Sequence, residues 1–333
     1  MIPFSILDLS PIGEGENVSK ALENSRRMAI HAEDHGYERV WLAEHHGMPG
    51  IASAATSLVI AHVGAATKRI RVGSGGIMLP NHSPLVIAEQ FGTLAALLPG
   101  RVDLGLGRAP GTDMRTARAL RRNLDAGAEN FPQDILELQQ YLGQPIQDQA
   151  ILSVPGMNTN VPIWLLGSSV YSAHLAAALG LPYSFASHFA PDMLMDAIAI
   201  YRERFQPSAT LSKPYVMVGV MGVGADTDEE AQHLFTSAQQ QFVNLRKNIR
   251  TQFPKPVESM DTHWSDMERI TVDHTLRYAV VGSHTTVERK LADFLSDTGA
   301  DELIISMPVH DIEKRLRSVE VFAEVRGGLK LAA

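Results

Sequence analysis

The chain has no cysteine among its 333 residues. That absence excludes disulfides, iron–sulfur ligation and a thiol nucleophile, and it fits a reducing compartment. No block of basic residues occurs either: 29 Lys and Arg are outnumbered by 37 Asp and Glu, for a net charge of -8. Binding to a nucleic-acid backbone draws on clustered cations and the counterions they displace, so that class of partner is not expected. No apolar run approaches the roughly 20 residues that span a bilayer. The opening MIPFSILDLSPIGEGE lacks the basic start, long apolar stretch and small-residue cleavage site of a secretory signal. A cytoplasmic location without membrane association is therefore expected. The remaining composition, 45% hydrophobic and 20% charged, is that of an ordinary globular chain. Its length suits two ordinary domains or one large α/β barrel.

Short apolar runs alternate with helical patterns along the chain. FSILDL (4–9) reads as a buried strand closed by Ser10, Pro11 and Gly13, and from Asn17 onward apolar residues recur at helical spacing until Gly36. RVWLAE (39–44) is the second strand, followed by a helix over 53–67 and the strand IRVGSGG (70–76). The next helix starts with Ser83 as N-cap and Pro84 at the first helical position. Further strands are VDLGLGR (102–108), PIWLLG (162–167), YSFASH (183–188), YVMVGVMGV (215–223) and ELIISM (302–307), making eight. Strands apolar on both faces and separated by helices predict a parallel sheet. Eight such units in one chain predict a single (β/α)8 TIM barrel over residues 1–333. Two connections are longer than a barrel needs, which predicts insertions after strands 4 and 7. The first (108–162) contains the helical pattern NFPQDILELQQYLG; the second (about 244–270) is polar and Pro-interrupted, the character of a lid or of a plain surface excursion. GLGRAPGTD has the glycines of a dinucleotide turn without the GxGxxG spacing, so a Rossmann reading is weak.

In such a barrel chemistry gathers at the carboxyl ends of the strands. The second strand delivers Glu44, His45 and His46, the third Ser74, Gly75 and Gly76, the fourth Gly107 and Arg108, the fifth Gly167, Ser168 and Ser169, and the sixth His188. Ser168 and Ser169 stand between a strand and a helix, where free N–H groups and hydroxyls can cradle a dianion, with Ser172 one turn on and Arg108 as the cation. The alternative is that Ser168 only caps the helix and Arg108 pairs with a surface acid. Gly75 and Gly76 let a flat ring lie on the backbone, or mark a bulge. Adjacent residues of an extended segment face opposite ways, so one of His45 and His46 faces the mouth; with no HExxH motif, a proton-transfer role suits it better than zinc.

GYERVWLAEHHGMPG (36–50), RVGSGGIMLPNHSPLVIAEQFGTL (71–94), GRVDLGLGRAPGTD (100–113) and PIWLLGSSVYSAHLAAALGLPYSFASHFAPD (162–192) resemble the bacterial luciferase-like family of flavin-dependent monooxygenases, in its non-bioluminescent branch. The resemblance spans nearly the whole chain. It implies a (β/α)8 barrel and a reaction in which reduced FMN, supplied by a separate flavin reductase, and dioxygen oxidise a small organic substrate. By position it implies His45 as the catalytic residue, with His46 supporting it. Gly75 and Gly76 fall where the flavin ring packs and the family has a non-proline cis peptide. Arg108, Ser168, Ser169 and Ser172 fall at the FMN phosphate; no metal is implied. Asp113 is expected to cap the helix that follows. The sequence departs from luciferase itself, which has an acidic residue where Ser168 stands and a reactive cysteine where Gly107 stands, so long-chain aldehyde chemistry is not carried over. A homo-oligomer is an expectation from the resemblance. A deazaflavin oxidoreductase of the same fold and a non-catalytic flavin-binding protein are the rival readings.

Overall fold

The computed structural model describes residues 1–109, 114–120 and 129–329; Asp113 lies outside them. Eight parallel strands close into a barrel. They are β1 (Phe4–Asp8), β2 (Arg39–Leu42), β3 (Arg71–Met78), β4 (Val102–Gly107), β5 (Ile163–Gly167), β6 (Tyr183–Phe185), β7 (Val216–Gly224) and β9 (Glu302–Ser306). Each pairs with the next, β7 pairs with β9, and β9 returns to β1, so no open edge remains. The TIM barrel expected from the alternating pattern is what the chain forms. A short additional strand, β8 (Val280–Gly282), pairs with the end of β7 outside the barrel. Between β4 and β5 the described chain forms α4 (Met114–Leu120) and α5 (Phe131–Leu142). Between β7 and β9 it forms α8 (Asp228–Arg246), α9 (Asp266–Thr275), β8 and α10 (His284–Thr298). Among the described residues no helix is long and apolar enough to cross a membrane.

Alternation along the strands sends one residue set outward and the other into the barrel. Outward, Val40, Leu42, Val72, Leu104, Leu165, Tyr183 and Phe185 pack against the helices in one large core. That explains why the strands read as apolar runs. Inward, the barrel is filled in layers. At the amino end the Arg39 guanidinium donates to both oxygens of Glu302, at 2.7 and 3.0 Å, and to Asp103 at 2.7 Å. Ser5 and Tyr215 also donate to Glu302, and Arg71 and Trp41 to Asp103. Two cations and two carboxylates thus cancel, and the buried oxygens are met by donors, the condition under which a desolvated ion cluster is tolerated. Above it lie Leu7, Trp41, Trp164, Met217 and Ile304, with the two indoles edge to face at 5.2 Å. Toward the carboxyl ends β3 and β4 carry glycines at Gly75, Gly76 and Gly105, where added side chains would collide with their neighbours. A Cβ on Gly75 would lie 2.6 Å from Leu7 Cδ1, one on Gly76 2.7 Å from the Gly105 carbonyl oxygen, and one on Gly105 2.2 Å from that of Ser74. Glycine is what the close approach of β3 and β4 requires.

Candidate active site

The four residues after β2 turn over the barrel mouth. Glu44 is 1% exposed yet has four donors around it. Nε2 of His46 donates to it at 2.8 Å, Nε2 of His82 at 2.9 Å, the Met78 N–H at 3.0 Å and Nδ2 of Asn81 at 3.4 Å. Burial raises the Glu44 carboxyl pKa, but the hydrogen bonds from His82, His46 and Met78 more than offset it and hold it below the usual carboxylate range. An ionised, buried Glu44 therefore ties the β2 loop to the end of β3. His46 is committed to this carboxylate. His45, next to it, is half-buried.

His45 is electrostatically coupled to His188, which follows β6. Burial, with the nearby His45, pushes the His188 pKa down to about 4. Its Nδ1 is buried, has no hydrogen-bond partner among the described residues, and is pressed against β7, where a Cβ on Gly219 would stand 2.3 Å away. His188 is thus neutral at physiological pH, with one ring nitrogen unspoken for at the mouth. Of the other aromatic residues near β6 and the long connection, Phe185 packs outward in the main core and Trp264 packs on the cluster around α8 and α9; neither lines the mouth.

Gly75 and Gly76 sit within β3, which continues to Met78, two residues beyond the strand expected from the sequence. The Gly75–Gly76 peptide bond is cis, and the β3–β4 register shifts there. The Ser74 hydroxyl donates to the Gly105 carbonyl at 2.9 Å, bracing the same spot.

Arg108 leaves the end of β4 exposed and lays its guanidinium 4.0 Å above the ring of Tyr171. Tyr171 is in the first turn of α6 (Val170–Leu179), whose N-cap is Ser169 rather than Ser168 and makes no side-chain cap bond. A cation held over the positive end of a helix gains a stacking contact of about 0.5–1 kcal/mol but faces a like-signed dipole, an arrangement that favours a shared anion. Ser168 is exposed beside it. Ser172 is buried: its hydroxyl donates to the Ser169 carbonyl at 2.9 Å and touches the Tyr183 hydroxyl at 3.2 Å, which braces the turn from beneath. The donor set suits a phosphorylated flat-ring cofactor: an exposed cation and a helix start without a side-chain cap for a phosphate, and the glycine stretch of β3 for a ring.

The polar connection after α8 is pinned to the loop that follows β1. The Phe253 N–H donates to the Ile12 carbonyl and the Glu14 N–H to the Phe253 carbonyl, while the buried Phe253 ring stacks on His310. Between this strap and the loop 46–51 lies a cavity of about 150 Å³ bordered by His46, Met48, Asn244 and Asn248.

His82 and Tyr171 were not singled out by sequence reasoning. His82 reaches Glu44 from 38 positions away, and no local spacing encodes that meeting. For Tyr171 the only signal was its place one residue after a predicted helix start.

The family model of luciferase-like monooxygenases matches residues 2–302. A luciferase-like monooxygenase of Escherichia coli strain K12 is 50% identical over 325 residues, covering 98% of this chain and 97% of that protein. The crystal structure of apo-MsnO8 superposes with a TM-score of 0.87 at 32% identity, covering 100% of this chain and 99% of that one. The oxygenating constituent of the 3,6-diketocamphane monooxygenase of Pseudomonas putida, solved with FMN, has a TM-score of 0.76 over 100% and 99% of the two chains. At 18% identity that last likeness speaks to the fold alone. Match and fold agree: the chain belongs to the luciferase-like monooxygenase family.

Proposed function

We propose that the protein is an FMN-dependent monooxygenase that oxidises a small organic substrate with dioxygen and receives reduced FMN from a separate reductase. The observation that carries this reading is Arg108 stacked on Tyr171 at the uncapped start of α6, a place built for a phosphate group. Arg108, Ser168, Ser169 and the first-turn amides of α6 hold the phosphate, and Ser172 keeps that turn in shape. Gly75 and Gly76 present bare backbone to the ring. Reduced FMN, when bound, supplies the two electrons and the atom at which dioxygen reacts. His45 moves a proton at the reacting edge, and the neutral His188 beside it keeps that corner free of a second positive charge. Glu44 positions the His45 segment by anchoring His46. The strap through Phe253 keeps bulk water from the mouth.

Anaerobic titration of reduced FMN into wild type and Arg108→Ala tests this. A charge-assisted contact is worth about 1.5–3 kcal/mol, so the variant should bind roughly 10- to 150-fold more weakly. No saturable binding of reduced FMN by the wild type, with binding of reduced deazaflavin instead, would replace this reading by a hydride-transfer enzyme. The F420-dependent secondary alcohol dehydrogenase, which shares the fold at a TM-score of 0.67, uses that cofactor.

A further inference from the structure

At the far end of the barrel from the mouth, the first and last helices bring three ligand-type side chains together. α1 (Val18–Asp34) carries His31, and its C-cap residue His35 follows one turn later. α11 (Ile312–Gly328) contributes Glu320. The ligand atoms of the three lie within 4.8 Å of one another, and among the described residues this is the one group so arranged. His31 Nε2 is 3.1 Å from Glu320 Oε1, and the two imidazoles lie side by side with centroids 4.3 Å apart.

Two of the three side chains are also oriented from behind. The His35 Nδ1 lies 2.8 Å from the His31 carbonyl oxygen. A carbonyl only accepts, so Nδ1 carries the proton and Nε2 keeps its lone pair, the tautomer a metal-binding histidine uses. Arg317 donates to Glu320 Oε2 at 2.8 Å and is itself held by Asp226 and Glu324, which leaves Oε1 turned toward the histidines. A plain hydrogen bond between two helices would need only His31 and Glu320; the third ring, in a fixed tautomer, has no part in it. All three side chains are half-buried, so an ion can reach them.

We propose that His31, His35 and Glu320 form a binding site for a first-row divalent cation, Zn²⁺ in particular, which fastens α11 to α1 and so ties the end of the barrel to its beginning. Two imidazoles and one carboxylate select zinc-like ions over Ca²⁺ and Mg²⁺, which take oxygen ligands. Zinc bonds of about 2.1 Å at tetrahedral angles put ligand atoms roughly 3.4 Å apart; His31 Nε2 and Glu320 Oε1 already stand at 3.1 Å, and no ligand pair lies beyond 4.8 Å, so a small adjustment closes the set and water takes the fourth position. The site is remote from the barrel mouth, and its effect is on stability rather than on the reaction.

The test is isothermal titration of Zn²⁺ into chelator-treated full-length protein, with thermal unfolding measured alongside, for wild type, His31→Ala, His35→Ala and Glu320→Gln. One equivalent is expected to bind wild type, each variant to bind at least tenfold more weakly, and Zn²⁺ to raise Tm by a few degrees in wild type alone. His35→Ala keeps the His31–Glu320 contact, so its fold is expected to hold, and Tm without metal checks this. An affinity unchanged by any one of the three substitutions, or no saturable binding to wild type, overturns the three-ligand site.

Discussion

His188 should make the protein lose stability as the solution becomes mildly acidic. Its folded pKa is about 4, against 6.5 for a free histidine, because its ring is buried beside His45 with Nδ1 unpartnered. The folded value is depressed for a base, so folding carries a penalty that is absent above 6.5, grows as pH falls through that value and levels off below about 4. At pH 5 the unfolded chain protonates this residue to about 97% and the folded chain to about 10%, which corresponds to about 2 kcal/mol. At pH 7 the same arithmetic yields about 0.2 kcal/mol. His188→Leu removes the titration and keeps a side chain in the space that Gly219 leaves. Urea unfolding of both proteins at pH 7 and pH 5, followed by fluorescence of Trp41 and Trp164 inside the barrel, measures the difference. Wild type should lose about 2 kcal/mol more than the variant between the two pH values. Equal losses, or a His188 ring resonance titrating near 6.5, would refute the reasoning.

Arg39→Leu strips Glu302 of its bidentate partner inside the barrel and should cost about 3–5 kcal/mol, because it leaves a buried carboxylate uncompensated; with about 2.1 cal/mol/K of unfolding entropy per residue, calorimetry should show Tm lower by roughly 4–7 °C. A double replacement by apolar residues, Arg39→Leu with Glu302→Leu, should recover part of that loss, and a double variant as unstable as the sum of the single ones would show that the pairing matters little. Glu44→Ala leaves the half-buried Met78 N–H and two imidazoles without their acceptor, for an expected cost of about 2–4 kcal/mol, while Glu44→Gln, which keeps one acceptor oxygen, should fall between wild type and Ala. Reduced-FMN affinity should follow the same order of wild type, Gln and Ala; an Ala variant that binds as well as wild type would separate the Glu44 network from the site.

Much of this architecture was legible along the chain because it rests on local rules. The eight barrel strands stood out as apolar runs, since strands buried on both faces have no polar side to show. Asn17 and Ser83 marked helix starts where the structure has them. Boundaries were blurred where tertiary contacts overrode local pattern: β3 runs on to Met78 because its end is held by Glu44, and the stretch 183–188 leaves the sheet after Phe185, where Ser187 turns to donate to the Gly219 carbonyl. β8, three residues long, is too short to leave a periodic signal.

The sequence by itself determined the barrel class and the set of chemical groups at the strand ends, because side-chain alternation and strand polarity are properties of neighbours in the chain. Only the tertiary structure decided which of those groups meet. It placed Arg108 on Tyr171, His82 on Glu44, and His188 beside His45 with a bare nitrogen. It also gathered the ion cluster around Arg39 and the pairing of His31 and His35 with Glu320. These contacts join residues tens to hundreds of positions apart, and their geometry is set by barrel closure, which no local window of sequence contains.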